Sequence, residues 1–255
     1  MFRPRIIPVL LLKDQGLVKS KQFKDYTYIG DPINAVRIYN DLKADELVFL
    51  DIEATKENRL ISSEFIKNVG EEANMPFAAG GGIKTIADIR TILSAGAEKV
   101  IICSHAAENP DFILEASETF GSSTIVVCID VKKAFLKGKK VWTKGGSKNI
   151  GADPVEYAKK MAEKGAGEII VQSIDNDGMM AGYDIELIKT ISENVSIPVV
   201  ALGGAGNLEH LKQVYKEAHA TGLAAASIFV YQGKMNGVLI NYPDRKEVEE
   251  LFGNI

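Results

Sequence analysis

Cysteine, histidine and tryptophan are scarce in this chain, with two, three and one copies respectively. Cys103 and Cys128 both lie in apolar, strand-like runs. That placement reads as two reduced core thiols rather than a disulfide or a metal pair. His105, His210 and His219 show no ligand spacing, so neither a metal nor another cofactor is implied. No apolar run approaches the roughly 20 residues needed to span a bilayer. The opening MFRPR runs straight into a strand, so no signal peptide is expected. No charge sign dominates: 30 basic against 34 acidic residues give a net charge of −4. Nothing there points to nucleic acid as a partner, to a membrane or to disorder. The expectation is a cytoplasmic protein.

What the chain does have is alternation. Val/Ile/Leu-rich runs at 5–12, 46–52, 76–80, 98–103, 124–130, 167–173, 197–202 and 222–227 are almost continuously apolar, as strands buried on both faces must be. Stretches of helical period fill 31–43, 60–73, 84–95, 108–119, 153–164, 184–194 and 207–218. Asp31-Pro32, Asn109-Pro110 and Asp153-Pro154 place proline in a first helical turn. Eight strands with intervening helices in 255 residues match the count of a (β/α)8 TIM barrel. A doubly wound open sheet is the alternative, since counting does not prove closure. The expected organisation is one domain over 1–255.

An internal repeat favours closure. PFAAGGGI at 76–83 is echoed by PVVALGGA at 198–205, about half a chain later. Each copy is followed by a helix and then a strand predicted to end in a hydroxyl, Ser104 or Ser227. Two similar half-barrels follow from this. Glycines at strand ends let backbone N–H groups approach an anion, and the next helix adds positive partial charge. The duplicated set, with Gly82 and Gly204, reads as two phosphate cradles on one rim and a substrate phosphorylated at both ends. Two ligand-free turns are the bland alternative.

The halves differ in one telling place. The strand at 124–130 ends in Asp130, shortly before Lys132; its counterpart at 6–12 has Leu11, shortly before Lys13. Asp130 is the best candidate acid or base, because partial burial raises a carboxyl toward a working pKa. Asp51, Asp175 and Asp177 also fall at strand ends; for Asp51 and Asp175, caps or ion pairs explain an acid equally well. Segment 131–149 holds seven lysines and no acid. It reads as a solvated hairpin, or as an attractor of an anionic substrate. Lys19 has the same two readings. Arg5, Glu46, Lys99 and Glu168 each stand at a predicted strand start. They are ordinary surface charges or a neutral ring across the barrel's lower mouth, gating an axial passage.

Taken together, these residues resemble the cyclase subunit of imidazole glycerol phosphate synthase. The likeness runs from Arg5 to about Phe229. It rests on RII at 5–7, GDP at 30–32, DELVFLD at 45–51, GGGI at 80–83, ENP at 108–110, GAGE at 165–168, SIDNDG at 173–178, GGAG at 203–206 and AS at 226–227. The resemblance implies a barrel that pairs with a glutaminase subunit and passes ammonia through itself to a bis-phosphorylated ribotide. It makes Asp130 one of two catalytic aspartates and position 11 the other, here Leu11. It makes Arg5, Glu46, Lys99 and Glu168 an ammonia gate. It implies binding roles for Lys19, Gly82, Ser104, Asp177, Gly178, Gly204 and Ser227.

Departures are selective. Cys103 replaces an asparagine of the family and Ser104 a threonine. Gln172 and Leu202 replace smaller polar residues, and the tail GVLINYP at 237–243 differs. This combination is similar to that of paralogues found with a glutaminase and an N-acetyl-sugar amidotransferase in surface-polysaccharide pathways. Three readings follow. One is an ammonia-conducting subunit serving sugar amidation to an acetamidino group. Another is an authentic cyclase subunit, a lyase of histidine biosynthesis. The weakest is a two-phosphate sugar isomerase, against which Leu11 counts.

Overall fold

Strands that are apolar on both faces need cover on both, and a ring of them leaves no open edge. The computed structural model describes residues 3–233 and 237–253; the predicted domain limits, 1 and 255, lie outside them. Its parallel strands are β1 Arg5–Lys13, β2 Leu47–Asp51, β3 Phe77–Gly80, β4 Lys99–Ile102, β5 Ile125–Ala134, β6 Glu168–Ser173, β7 Val199–Leu202 and β8 Gly222–Ala225. Each pairs in parallel with the next, and β8 pairs back onto β1. The sheet is a closed (β/α)8 barrel, which removes the open-sheet alternative.

The outer layer is α1 Pro32–Asp41, α2 Ser63–Glu72, α3 Ile86–Ser94, α4 Asp111–Phe120, α5 Pro154–Glu163, α6 Ile185–Ser192, α7 Leu208–Ala218 and α8 Arg245–Phe252. Asp31 and Asp153 cap α1 and α5, with proline at the first helical position. Pro110 sits one place earlier, as the residue before α4. The segment predicted as one helix at 108–119 is split, because a short helix, Ser104–Glu108, ends before it. Ser104 and Ser227 are therefore not strand ends. Each opens a short helix, Ser104–Glu108 or Ser227–Val230. Helix α8 escaped the pattern reading, although Asp244 and Glu247 form a capping box at its start. Also unpredicted is a hairpin after β1, Gly16–Lys21 with Lys24–Gly30. Among the described residues no helix is long and apolar enough to cross a membrane.

Side-chain alternation sorts each strand into two cores. Outward residues pack under the helices in the larger cluster. Inward residues form a separate luminal cluster that includes Ile7, Val9, Val48, Ile101, Ile170 and Val200. Above these, Leu11, Leu50, Cys103 and Ala226 are partly buried at the upper end.

The glycine turns repeat in three dimensions. A Cβ on Gly82 would lie 1.8 Å from the Arg59 carbonyl oxygen, and one on Gly204 2.1 Å from that of Gly182. In both halves the loop after the preceding strand is packed into the space a side chain would fill. Gly82 also has φ +72°, which L residues adopt at a cost. Gly82→Ala is expected to lower unfolding free energy by about 2–4 kcal/mol, measured by urea titration; an unchanged midpoint would show that this loop yields freely.

Candidate functional site

The lower mouth of the barrel is closed by charge. Arg5 opens β1, Glu46 directly precedes β2, Lys99 opens β4 and Glu168 opens β6. Arg5 pairs with both Glu46 and Glu168. Lys99 Nζ completes the ring at 3.1 Å from each glutamate. Both carboxylates are buried. Burial works against the Arg5 charge, but Glu168 and Glu46 outweigh it and hold its pKa above the ordinary value. Two bases thus neutralise two acids in one closed circuit, which is how buried charges are tolerated.

The upper mouth opens into a cavity of about 1230 Å³, part of it open to solvent. Asp130 lies in its wall, 7% exposed. Among the described residues, no lysine pairs with it. Its partners are thiols: Cys103 Sγ lies 3.5 Å from Oδ2 and Cys128 Sγ 3.7 Å from Oδ1. Burial pushes the Asp130 carboxyl up to about 7, against the thiol hydrogen bonds and with help from the Asp177 charge. Near neutrality it can give or take a proton. Cys128 is held well above the usual thiol range by its hydrogen bond with Cys103 and by burial. The pair is therefore a set of S–H donors rather than a nucleophile. Leu11 lines the same cavity. Strands β1 and β5 stand opposite each other in the ring, so a hydrocarbon faces the buried Asp130 across the mouth.

Next to Asp130 in register is Gln172, and next to Gln172 is Leu202. Gln172 Nε2 donates to Asp177 Oδ1 at 3.3 Å, and Ser20 Oγ donates to Asp177 Oδ2 at 2.8 Å. The Gln22 N–H reaches the Asp177 carbonyl at 2.9 Å. The hairpin after β1 is thereby fastened over the loop after β6. Its Lys19 is only 4% exposed. Burial brings the Lys19 pKa down to about 8, opposed by attraction to Asp177.

The predicted phosphate residues do not behave alike. Gly82 and Ser104 line the cavity, as does Asp177. Gly178, Gly204, Ser227 and Lys19 are absent from its wall. A Cβ on Gly178 would meet the Ser20 carbonyl oxygen at 2.1 Å, so hairpin backbone occupies that approach. Ser104 Oγ accepts from the Lys144 N–H at 2.9 Å. Asp51 is bound to Arg59 and to the N–H groups of Glu53 and Ala54. Asp175 accepts from the Lys133 N–H. Those two acids hold loops, as the bland alternative had it. The lysine-rich segment is a hairpin of β5 with Gly138–Thr143. Its Lys139 and Lys144 pair with Asp184 and Glu108, and none of its lysines lines the cavity. Sequence reasoning missed the thiol contacts with Asp130. The register Ile102↔Val127 brings Cys103 level with Cys128, a relation visible only once strands are paired.

A closed barrel with a charge-neutral floor, an apolar lumen and a cavity at the upper mouth defines a (β/α)8 protein whose site lies at the C-terminal ends of its strands. Comparison with known proteins narrows it. The family described as "Histidine biosynthesis protein" matches residues 5–236, and the chain belongs to that family. It is 49% identical over 253 residues to "Putative imidazole glycerol phosphate synthase subunit HisF" of Leptospira borgpetersenii, covering 99% of this chain and 100% of that protein. It is 43% identical over 249 residues to "Putative imidazole glycerol phosphate synthase subunit hisF2" of Pseudomonas aeruginosa, covering 98% and 99%. It is 41% identical over 231 residues to "Imidazole glycerol phosphate synthase subunit HisF" of Streptococcus mutans, covering 91% and 92%.

The Asp130 environment sets a pH dependence. An unfolded aspartate titrates near ~3.9, the folded one near about 7. Between these values the folded state holds the extra proton. Stability from this group is therefore complete below the lower value and lost as pH rises through the upper one. Asp130→Asn is expected to stabilise the fold at pH ~8.5 by on the order of 2–4 kcal/mol, with the gain vanishing near pH ~4. Denaturant unfolding of both proteins across that range reads it, and a pH-independent difference would place the carboxyl in a wetter setting.

Proposed function

We propose that this chain, acting as a single barrel domain over 1–255, is the synthase subunit of a glutamine-dependent amidotransferase. A glutaminase subunit docks at the charged floor, and ammonia rises through the apolar lumen to the cavity. The carrying observation is the pairing of a complete ring, Arg5, Glu46, Lys99 and Glu168, with a mouth that has Leu11 opposite Asp130. The passage is equipped while half of the acid–base pair is hydrocarbon. Loss of one positioned acid or base costs roughly 10²–10⁴-fold in rate. The nitrogen therefore goes on to another acceptor, and a paralogue serving N-acetyl-sugar amidation, with a sugar amidotransferase as second partner, fits this best. Two unpaired thiols at the mouth suit a reducing cytoplasm.

A second reading is an authentic cyclase subunit of histidine biosynthesis. The Asp130 carboxyl near about 7 favours it, as does the Streptococcus mutans relative's name. In that reading Gly82, Ser104, Asp177, Gly178, Gly204, Ser227 and Lys19 hold a bis-phosphorylated ribotide. The covering of Gly178 by the Ser20 backbone counts against a second phosphate there.

Two measurements separate these readings. With the bis-phosphorylated ribotide and ammonium salt, the wild-type chain is expected to turn over at least ~100-fold more slowly than Leu11→Asp. Wild-type turnover near that of an authentic cyclase would return the chain to the cyclase reading. In the assembled complex, Lys99→Ala is expected to uncouple glutamine hydrolysis from product nitrogen, raising the ratio of the two severalfold. A ratio that stays near one-to-one would remove the gate.

A further inference from the structure

Among the described residues, one buried side-chain polar atom is left without a hydrogen-bond partner: Gln172 Oε1. Gln172 is 4% exposed and lies in the cavity wall. The orientation of its amide is fixed by chemistry. Nε2 faces the Asp177 carboxylate at 3.3 Å, and the reverse placement would set two acceptors against each other. Oε1 is therefore an acceptor in need of a donor. Leaving such an oxygen dry and unpaired costs about 1–3 kcal/mol. Its register neighbours do not supply the donor: Leu202 is hydrocarbon, the thiols beside Asp130 are directed at that carboxylate, and Asp130 itself makes no hydrogen bond to Oε1.

The position on the strand says what kind of donor fits. Glu168, Ile170 and Gln172 alternate along one face of β6. The first belongs to the charged ring, the second to the apolar lumen, the third to the mouth. A molecule coming up that column passes a charge-neutral floor and side chains with no hydrogen-bonding group. The first free acceptor offered by β6 is Gln172 Oε1. A donor that travels this way is small and uncharged, and ammonia, the molecule the conduit reading supplies, meets both conditions.

We propose that Gln172 Oε1 is a docking point for ammonia at the exit of the lumen. This rests on the conduit reading above and adds the place where the nitrogen stops. One N–H is given to Oε1, which leaves the lone pair free to face an electrophile in the cavity. Asp177, held by Ser20, keeps the amide from rotating. The role belongs to this chain's own glutamine and does not need the acid missing at position 11.

The test uses the full chain alone, uniformly labelled with ¹³C and ¹⁵N. The Gln172 side-chain carbonyl carbon is assigned through its own amide group and followed by NMR at alkaline pH, where free amine is present. Ammonia and methylamine both carry N–H; trimethylamine as free base does not. The expected result is a saturable downfield shift of the Gln172 carbonyl with ammonia and with methylamine, and no shift with trimethylamine. A shift of equal size with trimethylamine, or no saturable shift with ammonia, overturns the proposal. Because no glutaminase is present, this outcome is independent of the Lys99→Ala coupling assay. Binding at Gln172 with an unaltered coupling ratio would leave the docking point standing and remove the passage; the reverse would remove only the docking point.

Discussion

Everything in this molecule follows from strands that alternate while closing on themselves. In a closed parallel ring, every second side chain faces a lumen that has no other way to be filled. Residues at i, i+2 and i+4 on one strand therefore form a vertical column. On β6 that column is Glu168, Ile170 and Gln172; on β1 it is Arg5, Ile7, Val9 and Leu11. Charge at the floor, hydrocarbon in the middle and function at the mouth are successive positions of the same columns. A shift of one residue in register would turn the ring outward and the helix-facing core inward.

The same constraint explains the peculiar setting of Asp130. Its strand places it at lumen height with little water, so ionisation is opposed by desolvation. The ring cations are at the far end and do not reach it. The groups that do reach it are the two cysteines, weak donors that soften the penalty without cancelling it. With an acid at position 11, a further carboxyl would face Asp130 across the mouth. With Leu11, Asp130 has apolar wall, two thiols, the Gln172 amide in register and the Asp177 charge nearby. That environment keeps a proton near neutrality, which suits acid or base work at the mouth.

Periodicity made the barrel readable from the chain, because eight buried runs and a duplicated glycine turn are long-range regularities. The floor was readable for the same reason: Arg5, Glu46, Lys99 and Glu168 sit at equivalent phases of four runs. The hairpin over the mouth was not, since Lys24–Gly30 is mostly exposed and its polar residues resemble a loop. The difference between the two glycine turns was also hidden. Gly82 and Gly204 look alike in sequence and make the same kind of backbone contact. Gly82 nevertheless lines the cavity and Gly204 does not, a difference that appears only once the loops are folded. Likewise Ser104 and Ser227 matched as hydroxyls, yet their surroundings diverge, with Lys144 reaching the first and the second lying buried away from the cavity.

The ring is the strongest physical argument for a passage. Removing ions from water costs several kcal/mol each, and well-packed hydrocarbon in place of a buried ion pair is often neutral or stabilising. Had stability been the sole demand, leucines would close the floor. A ring of long side chains differs from a leucine plug in one respect. Its members can part and re-pair around a small neutral molecule while staying mutually neutral, whereas a packed apolar layer opens only by losing its contacts. Arg5, shared between two glutamates, and Lys99, 3.1 Å from each of the same two, give every carboxylate a second partner when one contact breaks. That redundancy is of little use to a static floor and of direct use to a gate.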